Sequence, residues 1–158
     1  MSCGRVKMKI QDNYNTPEKA WGDILAFIPQ DKKLWLPFYN DGTAKKMLNK
    51  LGRLNVYHEN KDFFTYEPEH WDCIVDNPPY SIKQQVINKC IELAKPSALL
   101  LPLETMERKF FAEMVKNNDF TLIIPKKRYI WREGSHTPPF KCCWFCFNFK
   151  FDEQIIWL

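Results

Sequence analysis

Long apolar runs are absent from this 158-residue chain. None approaches the ~20 residues that a helix needs to cross a bilayer, so no membrane span is expected. The first residues hold Lys7, Lys9 and a polar stretch from Gln11 to Asn15, without the apolar core of a signal peptide. An intracellular protein is therefore expected, with its six cysteines as reduced thiols. Glycine is scarce, at five residues, and none belongs to a Gly-x-Gly-x-x-Gly fingerprint. Its absence suits a ligand that has no pyrophosphate. Internal repeats and low-complexity tracts are also missing, and the length supports one domain, 1–158, around one core. Strong charge of either sign is lacking. The net charge of +4 permits contact with a phosphate backbone without establishing it.

What the chain does have is alternation. Apolar runs that read as strands occur at Leu34 to Leu36, Asn55 to His58, Trp71 to Val75, Ala98 to Leu101 and Phe120 to Ile124, with a long last one from Cys142 to Phe151. Helical patterns lie between them. Thr16 reads as the N-cap and Pro17 as the first residue of a helix whose apolar face is Ala20, Trp21, Ile24, Leu25 and Ile28. Ala44, Met47, Leu48 and Leu51 form a second face, ended by Gly52. Ser81 and Gln84 make a capping box before Val86, Ile87, Cys90 and Ile91. Thr105 reads as the cap of a fourth helix with Phe110, Phe111, Met114 and Val115. This alternation predicts a doubly wound α/β sheet, and two final strands without a helix between them predict an antiparallel hairpin at one edge.

The remaining segments divide simply. Residues 1–11 read as a flexible arm. Residues 126–141 form a long polar and basic loop, the kind that is usually functional in a small domain. Lys45, Lys46, Lys50 and Arg53 make a second basic cluster, for which a solvated surface is as good a reading as a backbone-binding one. Cys142, Cys143 and Cys146 invite a metal, but along a strand Cys143 and Cys146 point to opposite faces. No metal is expected; the thiols read as small buried apolar groups.

One stretch carries chemistry: Asp76-Asn77-Pro78-Pro79-Tyr80. Two consecutive prolines cannot extend a helix or a central strand, so a buried strand must end here in a stiff loop. In open α/β sheets that carboxyl edge is where ligands bind. A rigid loop with an amide, free carbonyls and an aromatic ring is suited to gripping a planar group that bears an exocyclic amine.

Asn-Pro-Pro-Tyr behind a strand resembles the catalytic motif of the S-adenosylmethionine-dependent amino-methyltransferases. Along nearly the whole chain the motif order is similar to that of class I N6-adenine methyltransferases, of the small viral or phage type. The resemblance implies a Rossmann-like, mostly parallel seven-stranded sheet with helices on both faces and an antiparallel edge hairpin. It implies S-adenosyl-L-methionine as cofactor and a location in the host cytoplasm or nucleus. Tyr14 and Thr16, in a Tyr-x-Thr-Pro opening, would flank the cofactor. Pro37, Phe38, Asn40, Asp41 and Gly42 would form its loop. Glu59, with His58 as competitor, would accept from the ribose hydroxyls. Asp62 would accept from the adenine amine of the cofactor while Phe63 packs on its face, and Phe64 reads as core. Asn77 would touch both cofactor and target.

The chemistry implied is a direct displacement. The N6 lone pair of adenine is delocalised, and an enzyme helps by accepting both N–H protons so that the nitrogen turns toward tetrahedral geometry. The Asn77 side-chain oxygen and the Pro78 carbonyl are suited to that, Pro79 stiffens the loop, and Tyr80 would stack on the base. Neither a metal nor a covalent intermediate is required. Lys127, Arg128 and Arg132 would hold the phosphates, with Trp131 or His136 beside a flipped base. DNA is the favoured substrate and RNA the alternative, since unpaired RNA bases need no extrusion. The chain has no room for a separate target-recognition region, so sequence specificity is either minimal, supplied by the 126–141 loop, or contributed by a second copy or a partner subunit. Two further readings compete. Protein glutamine methyltransferases share the tetrapeptide but carry a Gly-rich first loop that is lacking here. A non-catalytic methyltransferase-fold subunit would have no need of an intact Asn77 to Tyr80 loop.

Overall fold

The computed structural model describes residues 15–131 and 140–158. Tyr14, Arg132 and His136 of the expected site lie outside them. The strands are β1 (Leu34–Trp35), β2 (Val56–Tyr57), β3 (Cys73–Asp76), β4 (Ser97–Pro102), β5 (Phe120–Ile124), β6 (Cys142–Phe147) and β7 (Ile155–Trp157). The helices are α1 (Glu18–Leu25), α2 (Thr43–Lys50), α3 (Lys83–Leu93) and α4 (Lys109–Asn117), with 3-10 turns at Tyr80–Ile82 and Leu103–Glu107. The strands form one seven-stranded sheet of order β2-β1-β3-β4-β6-β5-β7. All pairings are parallel except those of β6, which runs antiparallel to both β4 and β5.

Alternation of side chains sorts the core into two layers. Leu34, Leu36, Val75, Ala98, Leu100, Ile123, Trp144 and Cys146 face α1 and α2. Trp35, Ile74, Leu99, Leu101, Leu122, Cys143, Phe145 and Phe147 face α3 and α4. Helices therefore cover both faces, and β3, β4, β5 and β6 are buried along their whole length. Trp144 ties its layer together: its ring lies 5.8 Å from that of Trp21, and its Nε1–H donates to the Ala20 carbonyl at 3.0 Å. Each large side chain buried in this way contributes about 1.5–3 kcal/mol. Cys142 and Cys146 face one layer and Cys143 the other, as strand geometry requires. Among the described residues no helix is long and apolar enough to cross a membrane.

Several local expectations change. The run from Cys142 to Phe151 is not one strand. Asn148 and Lys150 adopt left-handed φ values of 62° and 61°, and the chain turns past the amino end of β5, where Asp119 receives the N–H groups of both. It then returns as β7, parallel to β5. The antiparallel pairing is present, but β6 lies inside the sheet and β7 covers the edge. Between β2 and β3 the described chain forms no strand.

Capping also differs. Pro17, not Thr16, is the N-cap of α1. Ser81 lies in a 3-10 turn and α3 begins behind Ile82 with no side-chain cap. Thr105 is buried in another 3-10 turn, and Arg108 is the N-cap of α4.

Two helix ends show why sequence matters locally. Behind α2, Gly52 takes φ +91° and donates to the Asn49 carbonyl, while Arg53 N–H reaches Leu48, the pattern of a Schellman close. Behind α3 the same role falls to Ala94, at φ 60°. A side chain at a left-handed position costs about 1–2 kcal/mol. Ala94→Gly is therefore expected to stabilise the protein by about 1 kcal/mol in urea unfolding. An unchanged or lower midpoint would show that Ala94 is not strained.

Arg53 overturns the surface reading of its basic cluster. It is 5 % exposed, and its guanidinium donates to the carbonyls of Leu25, Ile28 and Pro29, closing the end of α1. Lys50 by contrast is exposed and pairs with Glu18 at 3.0 Å.

Candidate active site

The order β2-β1-β3 reverses the direction of winding between β1 and β3. Loops leaving these two neighbours go to opposite sides, and the crevice they leave at the carboxyl edge is the usual ligand position in an open sheet. Two hollows lie there, sharing Phe38, Tyr39, Asn40 and Asn77 as walls.

The first hollow, of about 230 Å3, is bounded by the β1–α2 loop, the start of α1 and the end of β3. Its walls include Asn15, Thr16, Trp21, Asp41, Thr43, Met47 and Asp76, with two carboxylates and no basic side chain among the described residues that line it. The loop is tightly constrained. Asn40 and Gly42 are both left-handed, at φ 51° and 79°, and Gly42 N–H donates to the Tyr39 carbonyl at 2.8 Å. Between them Asp41 accepts from Thr43 N–H (3.0 Å) and Thr43 Oγ1 (2.7 Å), which holds its carboxylate below the usual range. Asn15 joins the loop to the N-terminal side: it accepts from Asn40 Nδ2 (3.1 Å) and donates to Asp41 (3.3 Å).

Gly42 has no spare room. A Cβ there would stand 2.6 Å from the Tyr39 hydroxyl. Tyr39 stacks on His58 with centroids 5.0 Å apart, and His58 Nδ1–H donates to the Leu36 carbonyl at 2.9 Å. Burial holds the His58 pKa below its ordinary value, so this ring is neutral near pH 7. Gly42→Ala is expected to cost about 1–2 kcal/mol from the left-handed backbone alone and to swing Tyr39 off His58. Urea unfolding and the Tyr39 ring resonances would read the two effects; an unchanged midpoint would count against the loop geometry.

The second hollow, of about 330 Å3, lies beyond the same loop and is lined by Pro37, Lys61, Asp62, Phe63, Phe64, Pro79 and Ile82. Asp62 starts a turn, with its carboxylate accepting from Phe64 N–H at 2.9 Å and its carbonyl from Tyr66 N–H at 2.9 Å. The burial of the two phenylalanines is the reverse of that expected. Phe63 is packed among Trp35, Phe38 and Phe64 and is 4 % exposed, whereas Phe64 is 41 % exposed at the lip.

Asn77 separates the hollows and lines both. Pro78 is buried, and the Pro79 carbonyl accepts from Ile82 N–H at 3.3 Å. Tyr80 is anchored from two sides: its ring meets Phe140 edge-on with centroids 5.8 Å apart, and its hydroxyl lies 3.4 Å from Cys142 Sγ. Asp76, just before Asn77, is 3 % exposed and accepts from Phe38 N–H (2.7 Å) and Asn77 N–H (2.8 Å). Burial pushes its carboxyl up to about 7, against the lowering effect of those two donors.

Not every expected residue converges here. Thr16, Pro37, Phe38, Asn40, Asp41, Asp62, Phe63, Asn77 and Pro79 line the two hollows, and Gly42 shapes their loop. Glu59 lies in neither hollow; it accepts from the Tyr66 hydroxyl at 2.8 Å in an exposed position. Trp131 belongs to the core at 8 % exposure and so cannot flank a flipped base where it stands. Tyr129 is likewise buried, with its hydroxyl donating to Asp23 at 2.7 Å. Lys127 and Arg128 are exposed beside a groove between the start of α1 and the segment after β5. Asn15 and Asp76 were not expected. Asn15 fills the variable position of Tyr-x-Thr-Pro, and Asp76 could have been noticed as a lone charge ending a buried apolar run.

The fold has a solved counterpart. The 23S rRNA methyltransferase ErmE superposes with a TM-score of 0.57 and 14 % identity, covering 85 % of this chain and 68 % of that one. No family model matches the sequence, and no curated protein matches it either. The seven-stranded sheet with helices on both faces is thus a Rossmann-like fold, shared with that methyltransferase.

Proposed function

We propose that the chain is an S-adenosyl-L-methionine-dependent methyltransferase acting on the exocyclic N6 amine of adenine in nucleic acid. The observation that carries this reading is the pair of hollows at the winding reversal, with Asn77 of Asn-Pro-Pro-Tyr as their common wall. The residues fit the cofactor. Asp41 and Asp76, with no basic side chain among the described residues that line the first hollow, favour a cationic ligand over a phosphorylated one. Asp62 and the exposed ring of Phe64 offer a carboxylate and an apolar face to a purine.

When bound, S-adenosyl-L-methionine supplies an electrophilic methyl group. The chain's own contribution is positioning and fixed dipoles. The Asn77 side-chain oxygen is assigned to one amine proton. Since the Pro79 carbonyl is engaged by Ile82, the Pro78 carbonyl is assigned to the other. Both stabilise the positive charge that develops on nitrogen. The anchoring of Tyr80 holds its ring in one plane, which suits it to stack on the base. Lys127 and Arg128, on the rim formed by the carboxyl end of β5, are assigned to phosphates.

An RNA substrate has support at least equal to DNA, because the solved counterpart is named for 23S rRNA. In either case a second copy or a partner subunit is the source we assign to target recognition. Calorimetry with S-adenosyl-L-methionine, followed by radiolabel transfer to DNA, RNA and protein in parallel, tests the reading. Transfer to the adenine amine of DNA or RNA is expected. Cofactor binding without any transfer would favour a non-catalytic subunit, and transfer to protein alone would overturn the substrate class.

A further inference from the structure

Asp76 is the last residue of β3, and its carboxylate joins its own loop to one 38 residues earlier in the chain. One oxygen takes the N–H of Phe38, in the loop that walls both hollows; the other takes the N–H of Asn77. We propose that Asp76 is a positioning residue, whose ionised carboxylate sets the separation between the cofactor-side loop and the Asn77 to Tyr80 loop. The consequence for methyl transfer rests on the methyltransferase reading; the clamp itself does not.

The physical reason lies in the count of acceptors. An ionised carboxylate presents only acceptors and can serve both N–H groups at full strength. A protonated carboxyl turns one oxygen into a donor, and that oxygen holds its N–H weakly. The loop on that side is then released, and the geometry of the hollows follows it. Among the described residues, the groups nearby do not substitute for this charge. The Cys90 thiol of α3 is pushed up to about 12 by burial and stays neutral, Asp41 across the first hollow is held low by Thr43, and His58 beneath Tyr39 is neutral by burial. Among these groups Asp76 alone changes charge near neutrality. A buried carboxylate here disfavours folding relative to a neutral side chain, which is the usual mark of a group kept for its role at a site.

The test uses the full chain labelled with 15N. The amide resonances of Phe38 and Asn77 are followed through neutral pH and are expected to shift together with one midpoint, a transition lacking in Asp76→Asn. In parallel, calorimetry measures affinity for S-adenosyl-L-homocysteine. Wild-type affinity is expected to fall about tenfold from about pH 8 to about pH 6, the scale of one charge-assisted hydrogen bond. In Asp76→Asn it should stay at the lower level throughout. Independent titration of the two amides, or a coupled transition that persists in Asp76→Asn, would overturn the clamp and leave the methyltransferase reading intact. Coupled titration with no affinity at any pH would support the clamp and defeat the cofactor reading. Because the amide titration is made on the unaltered protein, the clamp stays open to refutation even if Asp76→Asn does not fold.

Discussion

Asn77→Ala is expected to lower methyl transfer by about 10²–10³-fold or more while the protein stays folded, the scale found when one pre-aligned polar partner of a transition state is removed. The backbone of this position has supports of its own. Its N–H is held by Asp76 Oδ1 at 2.8 Å, and the two prolines behind it restrict the chain whatever the side chain is. Truncation therefore leaves the loop standing and removes an acceptor from the wall common to both hollows. The loss should appear in kcat more than in KM, because the interaction strengthens as charge develops on the amine. Single-turnover transfer together with unfolding midpoints separates chemistry from stability. Activity within a few-fold of wild type would remove Asn77 from the mechanism.

Arg53→Met carries the largest expected effect on stability, a loss of about 3 kcal/mol. The guanidinium occupies a buried position where the end of α1 leaves its last carbonyls, and it donates to Pro29 at 2.7 Å and Leu25 at 2.8 Å as well as to Ile28. A methionine fills much of the volume but leaves three carbonyls without this donor, and water has little access to replace it. Arg53→Lys should recover only part of the loss, because one ammonium cannot reproduce the planar fork. Against a typical total of about 5–15 kcal/mol this is a large fraction. Urea unfolding reads it directly, and a change below about 1 kcal/mol would mean that the buried carbonyls find other partners.

The two residues differ in how far the sequence announces them. Asn77 stands in a stretch whose stiffness is a property of adjacent residues: two prolines suffice to end a strand, and the observed β3 stops at Asp76, one residue before that motif. Arg53 follows Gly52, which correctly marks the end of α2, yet its partners lie 24 to 28 residues earlier. Nothing in its neighbourhood distinguishes it from the exposed Lys50. Trp131 misled in the same way, sitting in a polar and basic loop while its ring is drawn into the core.

What is written in the chain by itself is local: the apolar spacing of α1, α2, α3 and α4, the continuous apolar runs of β4 and β5, the Gly52 stop and the proline-stiffened turn after β3. Each depends on backbone preferences and side-chain periodicity within one or two turns, so neighbouring residues determine it. Tertiary structure alone decided that β6 inserts between β4 and β5, that β7 closes the edge, and that Phe63 turns inward while Phe64 remains at the lip. It also decided that Asp76 reaches Phe38. These outcomes are selected by pairing and burial between segments far apart in sequence, where a strand's partner or a charge's environment exists only once the sheet has formed.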